Sequence, residues 1–275
     1  MRKIWLIGFT AVAVLFAQSA LTCGERVYLE THDDMRSAYS LAGSKDAARA
    51  ALALLPGGGG YLDLDEMGCP RKLTGNSLVR IRGLLNSECF VTALVDAPSD
   101  RQCKEGLGGS RIHPDHATEI GNIIVDIRAL TGKPVWLIGT SRGAISAVNS
   151  AARLSWVEAP DGLILTSPVT SGCEGSYKAW VAQSVFSVDL EAIRIPVLVI
   201  AHTGEKCVRT PPDLAGLIVE KTSGTREKIV KVNGGPGWSG RVSVKACRSK
   251  SAHGFIEQDV EIGSDMVQFI AGGKF

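Results

Sequence analysis

The chain has 275 residues, 45% hydrophobic and 21% charged, which is ordinary globular usage and excludes a disordered chain or a coiled coil. Its 31 glycines follow no Gly-X-Y period, so collagen is excluded as well. Lys+Arg 30 against Asp+Glu 28 leaves a formal charge of +2, without the basic footprint of a nucleic-acid binder.

Arg2 and Lys3 precede an apolar run from Ile4 to Ala17 and the exit Ala17-Gln18-Ser19-Ala20. A positive end, a short apolar stretch and a small-residue exit describe an export signal peptide. Residues 1–22 are assigned to it, with cleavage between Ser19 and Cys23. The run is shorter than the roughly 20 residues of a spanning helix, and no later stretch is long and apolar enough to span a membrane. The mature chain, residues 23–275, is expected to be exported, periplasmic or secreted, and to form one domain. Lipid anchoring at Cys23 is the lesser reading, because Thr22 before it fits a lipoprotein signal poorly.

Export makes the cysteines readable. Cys23, Cys69, Cys89, Cys103, Cys173, Cys207 and Cys247 contain no Cys-x-x-Cys, which argues against a zinc ribbon or a thioredoxin motif. In an oxidising compartment some of those beyond Cys23 should pair. Cys89, beside an apolar run, also reads as a buried free thiol.

From about residue 47 short apolar runs alternate with helical patterns. The runs are Ala51–Leu55, Phe90–Val95, Val135–Ile138, Leu163–Leu165 and Val197–Ala201. Each is continuous, as in parallel strands covered on both faces. Lys228–Val232 alternates and reads as a more exposed edge strand. Ile120, Ile123, Ile124, Ile127 and Leu130 fall at helical spacing, with Gly132 placed to end that helix. Further helices are predicted over Ala144–Leu154, Tyr177–Ser187, Asp213–Lys221 and Asp259–Ile270. Alternation of this kind predicts a mostly parallel sheet with helices on both faces.

The sharpest local signal is Gly139-Thr140-Ser141-Arg142-Gly143, after one predicted strand and before a small-residue helix. A serine on a tight strand-to-helix turn projects its hydroxyl above the sheet, and flanking glycines relieve the crowding. The same turn aims the N–H of Arg142 and the positive helix end at a reacting oxygen. An ordinary structural turn is the plainer alternative.

A serine needs a base. His32 lies near the mature N-terminus, and His113 and His116 precede a helix on a polar loop; all three read as solvent-exposed, and the His113/His116 spacing is a poor zinc signature. His202 ends a strand and reads as packed structure. His253, in Ser251-Ala252-His253-Gly254-Phe255, follows the last predicted strand, where the base belongs in the order Ser, acid, His. The acid should then leave the strand Val197–Ala201, and Glu205 is the one carboxylate in that turn. Asp213 lies beyond two prolines at a helix start, where capping is the simpler role. Glu205 would hold the imidazole in its useful tautomer and stabilise its charged form.

A bond between Cys207 and Cys247 would tie the acid loop to the base loop; closing about 40 residues contributes on the order of 4 kcal/mol in the chain-entropy model. Pro56-Gly57-Gly58-Gly59-Gly60 lacks the downstream Gly-Lys-Ser/Thr of a phosphate loop. A glycine run here lets a backbone N–H from Gly58 or Gly59 approach a reacting carbonyl opposite Ser141, completing an oxyanion hole with Arg142. A flexible glycine turn is the alternative.

These motifs together resemble the α/β-hydrolase superfamily, most closely a small bacterial group with a glycine-rich oxyanion loop, Asp-Ala-Pro-Ser-Asp, Gly-Thr-Ser-Arg-Gly and a late Cys…His-Gly-Phe. Here those are Gly57–Gly60, Asp96–Asp100, Gly139–Gly143, and Cys247 with His253–Phe255. The match runs from about residue 47 to the C-terminus. The resemblance implies an α/β-hydrolase fold, Ser141 as nucleophile, His253 as base and the carboxylate two before Cys207 as acid. Relatives generally carry aspartate there, where this chain has Glu205. Asp96 and Asp100 read as structural residues of the loop above the sheet.

Three functions are weighed. The first is ester hydrolysis through an acyl-enzyme on a small-molecule or acyl-ester substrate, with no metal, cofactor or nucleic-acid partner. The second is peptide or amide cleavage on the same site, and the third a non-catalytic binding protein that keeps the fold. The complete Ser141, Glu205 and His253 set favours the first two over the third. The interval Ser167 to Ile195 is too short for a separate cap domain, which predicts an open site; the segment Glu25–Ser44 is the part of the mature chain placed to fold over it.

Overall fold

The computed structural model describes residues 23–31, 34–237 and 239–273; the signal-peptide assignment and His32 lie outside the described residues. Eight strands form one sheet: β1 (Glu25–Glu30), β2 (Arg36–Ala42), β3 (Ala50–Leu55), β4 (Phe90–Val95), β5 (Val135–Thr140), β6 (Gly162–Thr166), β7 (Val197–His202) and β8 (Glu227–Val232). Their spatial order is β1-β2-β4-β3-β5-β6-β7-β8. β2 runs antiparallel to both neighbours, while β4, β3, β5, β6, β7 and β8 are parallel.

Strands β3 to β7 are buried at every position, because successive side chains enter two different cores. Ala51, Ala53 and Leu55 of β3 join one apolar cluster with Ile120, Ile124 and Ala147. Ala50, Leu52 and Leu54 join the other with Leu78, Ile262 and Phe269. Both faces being dry, the runs are continuous rather than alternating. Strand β8, at the edge, is only partly buried through most of its length, as its alternating pattern predicts.

One face is covered by α3 (Pro114–Thr131), α4 (Gly143–Arg153) and α5 (Gly216–Lys221), the other by α1 (Ser77–Arg80), α2 (Arg82–Ser87) and α6 (Asp259–Ile270). In α3, Ile120, Ile123, Ile124 and Ile127 are all buried, each contributing roughly 1.5–3 kcal/mol. Leu130, the fifth residue of that spacing, is exposed. Gly132 ends α3 in the left-handed conformation and donates to Arg128 O at 2.8 Å.

Four expectations are corrected. The segment Tyr177–Ser187 is not one helix but two short 3-10 turns, Ala179–Ala182 and Val185–Ser187. Its backbone bonds outward instead, with Cys173 N donating to Val181 O and Val185 N to Val169 O, so an i to i−4 ladder cannot run through it. The segment Glu25–Ser44 does not fold over the site; it supplies β1 and β2 at the far edge of the sheet. Cys23 is bonded to Cys69, which leaves its sulfur no valence for lipid. Cys207 is bonded to Cys247. Cys89, read as a buried thiol, is exposed, as are Cys103 and Cys173, all three free; Cys89 occupies the left-handed turn (φ 62) just before β4 rather than the strand. No cap domain stands between β6 and β7, and no helix among the described residues is long and apolar enough to cross a membrane.

Candidate active site

Parallel strands end on a common edge, and there the loops after β3, β5, β7 and β8 converge. Ser141 follows β5 with φ 53, a left-handed conformation that costs a non-glycine residue about 1–3 kcal/mol and persists only where the surroundings impose it. They do so through the backbone: Ser141 N donates to Thr166 O at 2.9 Å, and Ala144 N donates to Ser141 O at 3.1 Å. The turn closes because Gly143 has no side chain; a Cβ there would stand 2.0 Å from Leu55 O.

His253 lies in the 3-10 turn Ala252–Gly254, whose preceding residue Ser251 accepts the His253 N–H through Oγ at 3.3 Å. Arg80 of α1 clamps this turn, donating from Nη2 to Gly254 O at 2.7 Å while pairing with Asp259 at 2.6 Å. Glu205 lies in the turn after β7, where Glu205 N donates to His202 O at 3.1 Å. Its Oε1 accepts from Cys207 N at 2.7 Å, which fixes the carboxylate and leaves Oε2 free to face the imidazole.

The three side chains meet. His253 Nε2 lies 3.0 Å from Ser141 Oγ, and His253 Nδ1 lies 2.9 Å from Glu205 Oε2. Both Glu205 and His253 are buried, at 7% and 6% exposure, so their interaction is shielded from water. Thr210 Oγ1 lies 3.2 Å from the same Nδ1, a contact that no spacing along the chain signals. The Cys207–Cys247 bond joins the turn that carries Glu205 to the loop that carries His253.

A cavity of about 150 Å³ opens on Ser141 and His253, lined among others by Gly57, Gly58, Leu73 and Ser249. A Cβ on Gly57 would meet Ser141 Cβ at 2.9 Å, so the glycine run permits the approach of the two loops. Of the two glycines of this run expected to offer an N–H, Gly58 lines the cavity, whereas Gly59 does not, its carbonyl accepting from Leu107 N at 2.9 Å. The turn between them, with Gly58 at φ 59 and Gly60 N donating to Gly57 O at 3.1 Å, rotates successive peptides out of one plane. Among the described residues the N–H groups of Gly58 and Arg142 serve no backbone carbonyl.

The other histidines divide. His113 is exposed as expected, but His116 is buried at the start of α3, with Nε2 2.8 Å from Ser146 Oγ on α4; α3 packs directly on α4, and the polar spacing did not show it. His202 accepts from Gly204 N at Nδ1 (2.9 Å) and reaches Gly234 O from Nε2 (3.1 Å), a packed structural role. Asp96 accepts from the N–H groups of Leu62 (2.6 Å) and Ala97 (2.8 Å); burial pushes its carboxyl pKa up while those bonds pull it down. Asp100 pairs with Arg101 at 2.9 Å. The Arg142 side chain lies 3.9 Å over the Trp180 ring, and burial, then the neighbouring Arg209, lowers its pKa to about 10. Glu205, Cys207 and His253 come close enough to hold a metal, but the Cys207 sulfur is spent in the disulfide and offers no thiolate.

The disulfide carries a prediction. Reductant should lower activity at concentrations that leave the far-ultraviolet circular dichroism unchanged, because the bond joins two site loops rather than the two cores. Full activity with both thiols alkylated would remove that role.

The chain matches no family model and no curated protein. Solved structures do resemble it. An esterase from Butyrivibrio proteoclasticus, Est1E, superposes with a TM-score of 0.61 at 13% identity, over 90% of this chain and 98% of that one. A cold-adapted esterase from an Arctic intertidal metagenomic library gives 0.55 at 16% identity, over 89% and 91%. A monoacylglycerol lipase from Paleococcus ferrophilus gives 0.58 at 15%, over 85% and 98%.

Proposed function

From the α/β-hydrolase fold that these similarities establish, we propose that the protein is a serine hydrolase of carboxylic esters, working through an acyl-enzyme. The observation that carries the proposal is the continuous chain Ser141 Oγ, His253, Glu205 at 3.0 and 2.9 Å, opening on a cavity that Gly57 and Gly58 also line. The esterases and the lipase among the structural neighbours support the same reading.

The steps follow from the geometry. His253 Nε2 accepts the Ser141 proton as Oγ attacks the ester carbonyl. The carbonyl π electrons move onto oxygen, and the Gly58 and Arg142 N–H groups stabilise that oxyanion. Glu205 accepts from Nδ1–H and stabilises the imidazolium. The imidazolium returns its proton to the departing alkoxide as the C–O bond breaks, leaving the acyl group on Ser141. Water, deprotonated by His253, attacks the acyl carbon; collapse releases the acid, and the proton returns to Ser141.

A cavity of about 150 Å³ without a cap domain suits small acyl groups. Soluble p-nitrophenyl acetate and butyrate should therefore be hydrolysed well, with kcat/KM falling for acyl chains beyond about ten carbons, which exceed a cavity of this size. A rate that climbs with chain length and jumps on adding a lipid interface would contradict this. The same panel with matched amides and peptides tests the reaction class: amide turnover equal to ester turnover would favour a peptidase. We place the protein outside the cytoplasm, supported by the N-terminal apolar run and by two disulfides, which persist in oxidising compartments.

A further inference from the structure

Behind the glycine turn lies a second Ser–His–Glu constellation. Ser146 Oγ is 2.8 Å from His116 Nε2, and His116 Nδ1 is 3.2 Å from Glu119 Oε2. The connectivity repeats that of Ser141, His253 and Glu205, yet it faces no substrate. Ser146 is 1% exposed, and the adjoining cavity of about 20 Å³ has room for about one water. A buried polar network that does no chemistry of its own has to be explained by what it holds.

It holds Arg111. This guanidinium is 2% exposed, and its partners are a hydroxyl and two carbonyls, none of them a carboxylate: Nη1 donates to Ser146 Oγ at 2.7 Å, and Nη2 to Pro56 O at 3.3 Å and Gly58 O at 3.2 Å. Its Nε has no partner among the described residues. Arginine only donates, so Ser146 Oγ accepts from Arg111 Nη1. Burial lowers the His116 pKa and favours the neutral imidazole; with its proton on Nδ1, that form donates to Glu119 and accepts the Ser146 hydroxyl proton at Nε2. The result is a buried cation and a buried carboxylate joined through two neutral groups, with the cation end pressed on the glycine turn.

The two carbonyls that Arg111 grips belong to the peptide units 56–57 and 58–59. The unit between them, 57–58, carries the Gly58 N–H. Holding the units on both sides fixes the plane of the middle one, whose own carbonyl accepts from Gly60 N. Gly60 has to be glycine for this contact: with φ 76, a Cβ there would stand 2.9 Å from Arg111 Nη2. We propose that Arg111 is a positioning residue that aims the Gly58 N–H at the developing oxyanion, and that Ser146, His116 and Glu119 hold Arg111 in register. The proposal rests on the ester-hydrolase reading and adds what orients its oxyanion turn.

The test separates ground-state binding from oxyanion stabilisation. Kinetics on p-nitrophenyl butyrate are paired with inhibition by a small trifluoromethyl ketone, whose carbonyl carbon bonds to Ser141 Oγ while the hydroxyl proton passes to His253 and the electron pair settles on oxygen. Arg111→Met should lower kcat by about 10²-fold, the effect of losing one oxyanion donor, with KM nearly unchanged and ketone affinity falling by a similar factor. Arg111→Lys keeps the charge but not the fork, and should fall between Met and wild type. Ser146→Ala removes a single oxygen from a helix that tolerates alanine, so it folds even where Arg111→Met does not. It should lower kcat and ketone affinity together by about tenfold, the magnitude of one hydrogen bond to a charged group. Folded variants with wild-type kcat and ketone affinity would overturn the proposal, as would losses of activity that track melting temperature while ketone affinity stays constant. If wild type itself turns over no ester, the underlying function fails instead, and the two failures are distinguishable.

Discussion

Ser141→Ala is expected to remove turnover, by on the order of 10⁶ in kcat, while leaving the melting temperature close to wild type. In the proposed mechanism the hydroxyl begins the covalent step, and it is the group 3.0 Å from His253 Nε2. The fold does not depend on it, because the turn is held by backbone bonds from Ser141 N and O that alanine keeps. The measurement is ester hydrolysis with purified variant, beside a thermal melt of both proteins. Near-wild-type hydrolysis by a folded variant would remove the nucleophile and with it the mechanism.

Glu205→Gln should cost about 10³ to 10⁴ in kcat. The amide is nearly isosteric, so it can keep the bond from Cys207 N, but it carries no charge to stabilise the imidazolium and can present an N–H where His253 Nδ1 needs an acceptor. Asp213, the next carboxylate, stands in the first turn of the short helix after Pro211, away from the acid turn. Asp213→Asn should change kcat by no more than about twofold, as for an ordinary surface substitution. Reversal of the two effects would move the acid to Asp213. The aspartate usual in the resembling group is one methylene shorter; here the longer glutamate is held by Cys207 N and still reaches the imidazole at 2.9 Å.

The parts of the fold that are legible in the chain are those where one physical pattern dominates. Strand β4 runs from Phe90 to Val95 and α6 from Asp259 to Ile270, as their apolar run and helical spacing predict. Strands β1 and β2 are not legible, because Glu25–Glu30 is an edge strand, only partly buried, and its pairing with β2 depends on a tertiary partner rather than on local pattern. The Tyr177–Ser187 stretch has helical spacing, but long-range backbone bonds to Val169 and Cys173 override it. At the candidate site, Ser141, Glu205 and His253 follow β5, β7 and β8 in that order, so the proposed trio is legible as a sequence of residues each placed after a strand. His116 and Arg111 are not: their partners Ser146 and Gly58 are brought to them by the packing of α3 on α4 and by the glycine turn. A polar loop in the sequence thus becomes a buried network. Gly57 and Thr210 matter through contacts of a few ångströms, which spacing does not encode.

The central claim is that Ser141 forms a covalent bond to substrate, and a fluorophosphonate tests it directly. Its phosphorus is attacked by an activated serine oxygen, fluoride leaves, and the adduct survives proteolysis. Intact-protein mass spectrometry should show one adduct per chain, peptide mapping should place it on Ser141, and both the adduct and ester hydrolysis should be lost together in His253→Ala. An adduct on another residue, or a fully labelled Ser141 in a protein that still hydrolyses ester at the wild-type rate, would contradict the account.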